Sequence, residues 1–187
     1  MTRALLLAVL FALFAPVTHA QAPTATPTDL TPEQRRAYND ALAEARKLIA
    51  DKQWGRAGAR LDELIKERPR EAQARFLKGV VQTEQGEGDA AIATFQALIQ
   101  DYPEIPEPYN NLAVLHARKG EIESARIALE TAIRTAPNWA TARENLGDIY
   151  VRLALDQYDR ASTLDKGNRT AAAKLKLARE LIATSNP

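Results

Sequence analysis

Side chains that could perform chemistry are few in this chain, and cysteine is absent altogether. Without cysteine there can be no disulfides, thiolate metal sites or cysteine nucleophiles. Of the two histidines, only His116 lies beyond the first twenty residues, which excludes metal sites built from several histidines. The sequence also lacks a glycine-rich phosphate-binding loop and a serine nucleophile motif. We therefore expect no catalytic residues, no metal and no cofactor.

Carboxylates are the remaining candidates for chemistry, and they occur as the pair Asp62 and Glu63 and as the cluster of Glu121 and Glu123. Two carboxylates can act as general acid and general base when their environments differ. Here both groups fall on predicted solvent-facing turns or helices without a reacting partner, so we interpret them as solvated charges. His116 falls on the packing face of its predicted helix, which indicates a buried, hydrogen-bonded side chain.

The composition favours a helical globular chain. Of 187 residues, 45% are hydrophobic and 26% are charged, while glycine is scarce. The abundant residues alanine, leucine, arginine and glutamate lose little side-chain freedom in a helix. The net charge of +1 gives no excess that would favour a nucleic acid or a membrane surface as partner.

The first twenty residues have the pattern of a secretory signal peptide. Arg3 precedes an apolar run from Ala4 to Ala15, and smaller and polar residues follow as far as Ala20. We predict cleavage after Ala20, export to the periplasm, and no membrane insertion after cleavage. The alternative is an uncleaved anchor, although the run is shorter than the roughly 20 apolar residues that a spanning helix needs.

A proline- and threonine-rich leader is predicted at residues 21–31, before a helical domain over residues 32–187. Few apolar residues occur in the leader, so we expect it to be disordered. Thr31 is the predicted N-cap of the first helix, with Pro32 at the first helical position. Gln34 completes the pattern of a capping box.

Residue types recur along the chain with a period of 34. Small residues on this period allow two helices to approach closely, and large apolar residues fill one helical stripe. Prolines end each second helix, and glycines lie at the turn inside each unit. The columns are Pro69, Pro103 and Pro137; Ala57, Ala91 and Ala125; Leu61, Phe95 and Leu129; Leu64, Leu98 and Ala132; Ala45, Gly79, Ala113 and Gly147; and Gly86 with Gly120.

In these columns the chain resembles the tetratricopeptide repeat family, from about Tyr38 to Asn168. The best match is the segment from Pro106 to Pro137, where the signature positions are Tyr109, Leu112, Ala113, Gly120, Ala125, Leu129, Ala132 and Pro137. Two departures are His116, where an aromatic residue is usual, and Lys78, where leucine is usual. The resemblance implies an all-α fold, a right-handed superhelical solenoid of helix–turn–helix repeats.

Three complete repeats are predicted at residues 38–71, 72–105 and 106–139, followed by an altered fourth unit at 140–168. Because the apolar residues from Leu146 to Leu164 keep one helical phase, we predict a single helix from Ala140 to about Leu164. A tight turn near Leu153 to Asp156 is the alternative. Gly167 is the predicted left-handed cap, and a capping helix is predicted at residues 170–183.

The resemblance implies that the first helix of each repeat lines a concave groove that binds a partner. The groove positions predicted from the repeat register are Asn39, Arg46, Gln73, Phe76, Val80, Asn110, Val114, Arg118, Glu144, Asp148 and Arg152. Their apolar middle and charged edge suit a peptide held by a few anchors. The alternative is that these are ordinary surface positions of the solenoid.

Two further features of the family can be compared with the sequence. Asn111 and Asn145 match a frequent family asparagine, but the basic residues of the family's carboxylate clamp are missing, so we do not expect that mode of binding. Trp54 and Trp139 flank predicted helices, and we interpret both as packing residues between repeats rather than as binding platforms.

A non-catalytic module that binds a protein or peptide partner in the cell envelope is therefore the function that the sequence favours. The alternative is a structural component that oligomerises through its convex face or its C-terminal helix. A hydrolase is the third possibility considered, and no set of residues supports it. The oligomeric state and the partner's identity do not follow from the sequence.

Overall fold

A computed structural model describes residues 31–184. The predicted signal peptide, its cleavage site and residues 21–30 of the predicted leader lie outside the described residues. Over residues 31–184 all regular secondary structure is helical. The helices are α1 Pro32–Ala50, α2 Trp54–Glu67, α3 Ala72–Glu84, α4 Gly88–Asp101, α5 Pro106–Arg118, α6 Ile122–Thr135, α7 Ala140–Leu164 and α8 Arg169–Thr184.

The helices divide into two compact units, with described residues 31–100 in the first and 101–184 in the second. In the first unit α2 packs against both α1 and α3. Its core side chains are fully or almost fully buried: Leu42, Ala45, Ile49, Ala57, Leu61, Leu64, Ala74, Phe76, Val80, Val81, Ala91, Phe95 and Leu98. Lys78, which replaces the usual leucine, reaches solvent and places its Nζ 2.8 Å from the Asp62 carboxylate.

The second unit packs α6 between α5 and α7, and α8 against α7. One apolar cluster holds the first three of these helices together: Ala113, Val114, Ala117, Ala125, Leu129, Ala132, Ala142 and Ile149. Trp139, immediately before α7, packs against this cluster as the sequence predicts. Trp54 is the first residue of α2 and is partly buried.

The start of α1 has the predicted cap. The Thr31 side chain accepts a hydrogen bond from the Gln34 N–H at 3.2 Å, and the Gln34 side chain accepts one from the Thr31 N–H at 3.0 Å. Pro32 occupies the first turn, where a missing N–H has no consequence. The capping box is therefore confirmed.

The turn inside each of the three complete repeats uses a left-handed residue. Gly86 and Gly120 have φ of 80° and 78°, and Lys52, which lies 34 residues before Gly86, has φ of 54°. A residue with a Cβ is strained in this region by roughly 1 kcal/mol. The first repeat therefore keeps the turn geometry without the glycine that its two successors use.

The altered fourth unit contains one long helix. Helix α7 runs without a break over 25 residues, so the single helix predicted from the apolar phase is confirmed and a turn near Leu153 is wrong. The expectation for its end is also wrong, because Gly167 is not among the left-handed residues. Instead the chain leaves α7 in an extended conformation at Asp165, whose Oδ1 accepts a hydrogen bond from the Gly167 N–H at 2.9 Å.

The column of small residues does not have the same role in every unit. A Cβ placed on Gly79 would lie 2.6 Å from the Phe95 ring, whereas one on Gly147 would have no described neighbour within 4 Å. The predicted close approach is therefore present at Gly79 and absent at Gly147. The physical reason is that α7 continues through this unit as one helix of 25 residues, so the turn that would bring a second helix onto Gly147 is not made there.

Within residues 31–184, no helix combines enough length with enough apolar character to cross a membrane.

Candidate functional site

The eleven predicted groove positions divide into two groups by burial. Four have side chains at 1–2% exposure and belong to the core: Phe76, Val80, Asn110 and Val114. Phe76 packs its ring 5.8 Å from that of Phe95, and Val114 lies in the apolar cluster of the second unit. These four do not offer side-chain surface to a partner, so the expectation that they contact one is corrected.

The other seven positions reach solvent to different extents. Asn39, Arg118 and Glu144 are exposed, and Arg46, Gln73, Asp148 and Arg152 are partly buried. Asn39, Arg46 and Gln73 lie in the first unit on α1 and α3, and the remaining four lie in the second unit on α5 and α7. The structure therefore leaves one small polar set in each unit.

One pair of buried asparagines, Asn110 and Asn145, links α5 to α7 in the second unit. Asn145 Nδ2 donates a hydrogen bond to Asn110 Oδ1 at 2.8 Å, and Asn111 Nδ2 donates to the Glu107 carbonyl at 2.9 Å. All three asparagines are at most 5% exposed. A hydrogen bond between buried polar groups is costly to break, so this link fixes the spacing of the two helices that carry Arg118, Glu144, Asp148 and Arg152.

Arg152 is the most unusual of the seven positions. Its Nη2 is buried and has no hydrogen-bond partner among the described residues. Burial lowers the pKa of this guanidinium, while the charge of Asp148, one turn away, acts in the opposite direction. A partly desolvated cation is stabilised by a nearby anion, and Asp148 supplies one on the same helix.

Glu107 is a candidate site residue that the repeat pattern did not indicate. It is partly buried in the first turn of α5, and burial raises the pKa of its carboxyl. The sequence signal that would have found it is its spacing of three and four residues before Asn110 and Asn111, which places it beside them on the helix.

His116 is hydrogen-bonded but not fully buried. Its side chain is 18% exposed, and its Nδ1 lies 2.6 Å from the Glu121 carboxylate. This hydrogen bond is the main cause that lowers the pKa of the Glu121 carboxyl. Glu123 pairs with Arg126 at 2.8 Å. The first contact is a surface hydrogen bond and the second is a surface ion pair. No group of three potential metal ligands occurs within residues 31–184.

Models of the tetratricopeptide repeat match residues 42–106 and 82–146. Together they span more than half of the chain, and the observed helix pairs have the arrangement of this repeat. The chain therefore belongs to the tetratricopeptide repeat family, whose members generally act as non-catalytic interaction modules.

Three curated relatives share the repeats. Tetratricopeptide repeat protein 8 is 48% identical over 50 residues in Mus musculus, covering 23% of this chain and 10% of the relative. The Homo sapiens protein is 40% identical over 73 residues, covering 34% and 14%. PYG7, a chloroplastic tetratricopeptide repeat domain-containing protein of Arabidopsis thaliana, is 25% identical over 135 residues, covering 67% and 45%. The chain thus spans less than half of the length of each relative.

Solved structures show the same fold. The first repeat domain of Spaghetti (RPAP3), bound to the HSP90 peptide SRMEEVD, has a TM-score of 0.60 at 13% identity, covering 64% of this chain and 94% of that one. The thermophilic repeat protein TTC0263 of Thermus thermophilus has a TM-score of 0.59 at 22% identity, covering 76% and 82%. The TPR2B domain of yeast Sti1, in complex with an Hsp70 peptide, has a TM-score of 0.55 at 22% identity, covering 60% and 92%.

Proposed function

We propose that this chain is an exported, non-catalytic adaptor that binds a polypeptide segment along α5 and α7, the first helices of its third and altered fourth units. The observation that carries the proposal is the polar set on α5 and α7, held at fixed spacing by the 2.8 Å bond between Asn145 and Asn110. Similar folds bind peptides of HSP90 and Hsp70, which supports a peptide as the kind of ligand.

The charges of the polar set on α5 and α7 indicate which kind of side chain the partner segment carries. Arg118 and Arg152 are 34 residues apart and therefore occupy the same position in successive units. Arg118 is exposed, and Arg152 has a buried nitrogen without a hydrogen-bond partner among the described residues. Arginine binds carboxylates through paired hydrogen bonds. The partner segment is accordingly one with an acidic side chain that lies against these two arginines.

Charge reversal at Arg118 tests the proposal. We expect Arg118→Glu to reduce capture of polypeptides from a periplasmic extract by about tenfold or more, the change that a lost charged hydrogen bond produces. Capture is measured by cross-linking followed by quantitative mass spectrometry. Because Arg118 is exposed, the fold should be unaffected, and circular dichroism verifies this.

Arg134→Glu is the matched control. Arg134 is also exposed and lies in the last turn of a helix, but that helix is α6 and lies outside the polar set. It undergoes the same change of charge, and we expect capture within about twofold of the unmodified chain. Equal losses in the two variants, or no loss in either, would show that the polar set does not bind the partner.

Export is a separate part of the proposal, and its support is the N-terminal sequence pattern. We expect the intact mass of protein from the periplasm to correspond to a chain that begins at Gln21. Replacing Leu6 and Leu7 by arginine should leave the precursor unprocessed, because the apolar run is interrupted. A mature chain that retains Arg3 in the membrane fraction would contradict cleavage and indicate an anchor.

A further inference from the structure

The first turn of α5 holds a carboxylate that is partly withdrawn from water. Burial raises the pKa of the Glu107 carboxyl, although hydrogen bonding to the backbone acts in the opposite direction. No basic side chain within residues 31–184 forms an ion pair with this carboxylate. A partly desolvated anion of this kind is stabilised by a cation that a ligand brings to it.

A second hydrogen-bond acceptor lies beside Glu107. Asn111 follows it by one helical turn, and Asn111 Nδ2 donates to the Glu107 carbonyl at 2.9 Å. This bond uses the amide nitrogen, and Asn111 Oδ1 is buried without a hydrogen-bond partner among the residues that the structure describes. A buried acceptor without a donor is costly, and a charged donor stabilises it most. The carboxylate and the amide oxygen therefore favour the same ligand group, a lysine ammonium or an arginine guanidinium.

The polar set on α5 and α7 has a negative end and a positive end. Glu107 and Glu144 precede the buried asparagine pair that links the two helices, whereas Arg118 and Arg152 follow it by seven or eight residues. Glu144 is exposed and adds to the negative potential at the Glu107 end. Charges arranged in this way are complementary to a segment that carries both signs.

We infer, on the basis of the proposed function, that this surface selects a segment with a basic side chain at Glu107 and an acidic side chain at Arg118. Glu107 and Arg118 are 11 residues apart, close to three helical turns, so they lie on the same side of α5 at about 16 Å along its axis. An extended segment rises about 3.3 Å per residue. The basic and acidic residues of the segment are therefore about five positions apart.

Binding of defined peptides to the purified mature chain provides the test. The peptides are blocked at both ends and neutral except for one lysine and one glutamate, separated by one to about nine alanine or serine residues in either order. We expect the affinity, measured by fluorescence anisotropy at low salt, to be highest with about four residues between the charges. Replacing the lysine of that peptide by glutamine should weaken binding about tenfold.

Glu107→Gln shows where the lysine binds. In this variant the lysine peptide should bind about tenfold more weakly, whereas the glutamine peptide should bind as it does to the unmodified chain. Glu33→Gln is the matched control, because Glu33 also follows a proline in the first turn of its helix but is exposed on α1. Both peptides should bind to this control within about twofold of the unmodified chain.

Two results separate this selectivity from the proposed function. If Arg118→Glu abolishes binding but the lysine has no effect, or if Glu107→Gln weakens both peptides equally, Glu107 does not select a basic side chain and the proposed function stands. An affinity that does not depend on the spacing of the charges would likewise overturn the paired contacts. If no peptide binds, or if neither the glutamate nor Arg118 affects binding, the selectivity and the proposed function are both wrong.

Discussion

Truncating Phe95 to alanine is expected to lower the free energy of unfolding of the first unit by about 3–5 kcal/mol. The Phe95 side chain is completely buried. Its ring lies 5.8 Å from that of Phe76, tilted by 51°, and it also lies close to Gly79, where an added Cβ would be 2.6 Å from the ring. Removing the ring leaves a cavity, and the backbone atoms on its Gly79 side cannot move in to fill it. The loss in free energy of unfolding should therefore be close to the upper end for a core residue.

The described residues form two compact units, so one global unfolding curve can mix two transitions. Hydrogen exchange separates them, and the loss should be concentrated at the amides of α3 and α4. Gln96→Ala is the control, because Gln96 is exposed on the same helix, and it should change stability by less than about 0.5 kcal/mol. A loss below about 1 kcal/mol for Phe95→Ala would contradict the packing described here.

Adding a methyl group at Gly79 and at Gly147 is expected to change stability in opposite directions. Alanine at Gly79 would place its Cβ 2.6 Å from Phe95, and overpacking of this kind outweighs the helix propensity of alanine, for a net loss of about 1–2 kcal/mol. Alanine at Gly147 meets open space, so its higher helix propensity should stabilise the second unit by about 0.5–1 kcal/mol. Hydrogen exchange at the amides of each unit measures the two changes separately.

A double substitution shows whether contact with Phe95 is the reason that Gly79→Ala lowers stability. In a chain that already carries Phe95→Ala, the space beside Gly79 is open, so Gly79→Ala should become neutral or stabilising. The difference between the two backgrounds should reach about 1–3 kcal/mol, which is the range for residues in direct contact. If the effect of Gly79→Ala is the same in both backgrounds, the contact with Phe95 is not what excludes a side chain at this position.

The column of Ala45, Gly79, Ala113 and Gly147 shows what the repeat period can and cannot predict. The period correctly places these small residues on the first helix of each unit. Whether smallness is required depends on whether a second helix returns, and only the three-dimensional path of α7 decides that for Gly147. The same limit applies at Gly167, where the side chain of Asp165 provides the turn that glycine was expected to provide.

The candidate groove shows a second limit of the repeat pattern, which does not predict how deeply each residue is buried. Helical phase correctly assigns Phe76, Val80, Asn110 and Val114 to the first helices, but it places them on an accessible surface, whereas all four are buried. A first helix inside a stack of repeats has neighbours on more than one side, so its apolar stripe is wider than the single face that periodicity assumes. Polar residues at the edges of that stripe, such as Asn39 and Arg118, reach solvent as expected.

The unbroken α7 also limits how this gene could have lengthened. Arrays of this kind grow by duplicating a unit, and each new copy needs the exposed side of a complete helix pair to stack upon. Because α7 runs on for 25 residues where a turn would be needed, a copy inserted after it would meet no such surface. A copy inserted between the complete repeats would find one on both sides. Duplication could therefore add units among the complete repeats, ahead of the pair formed by α7 and α8.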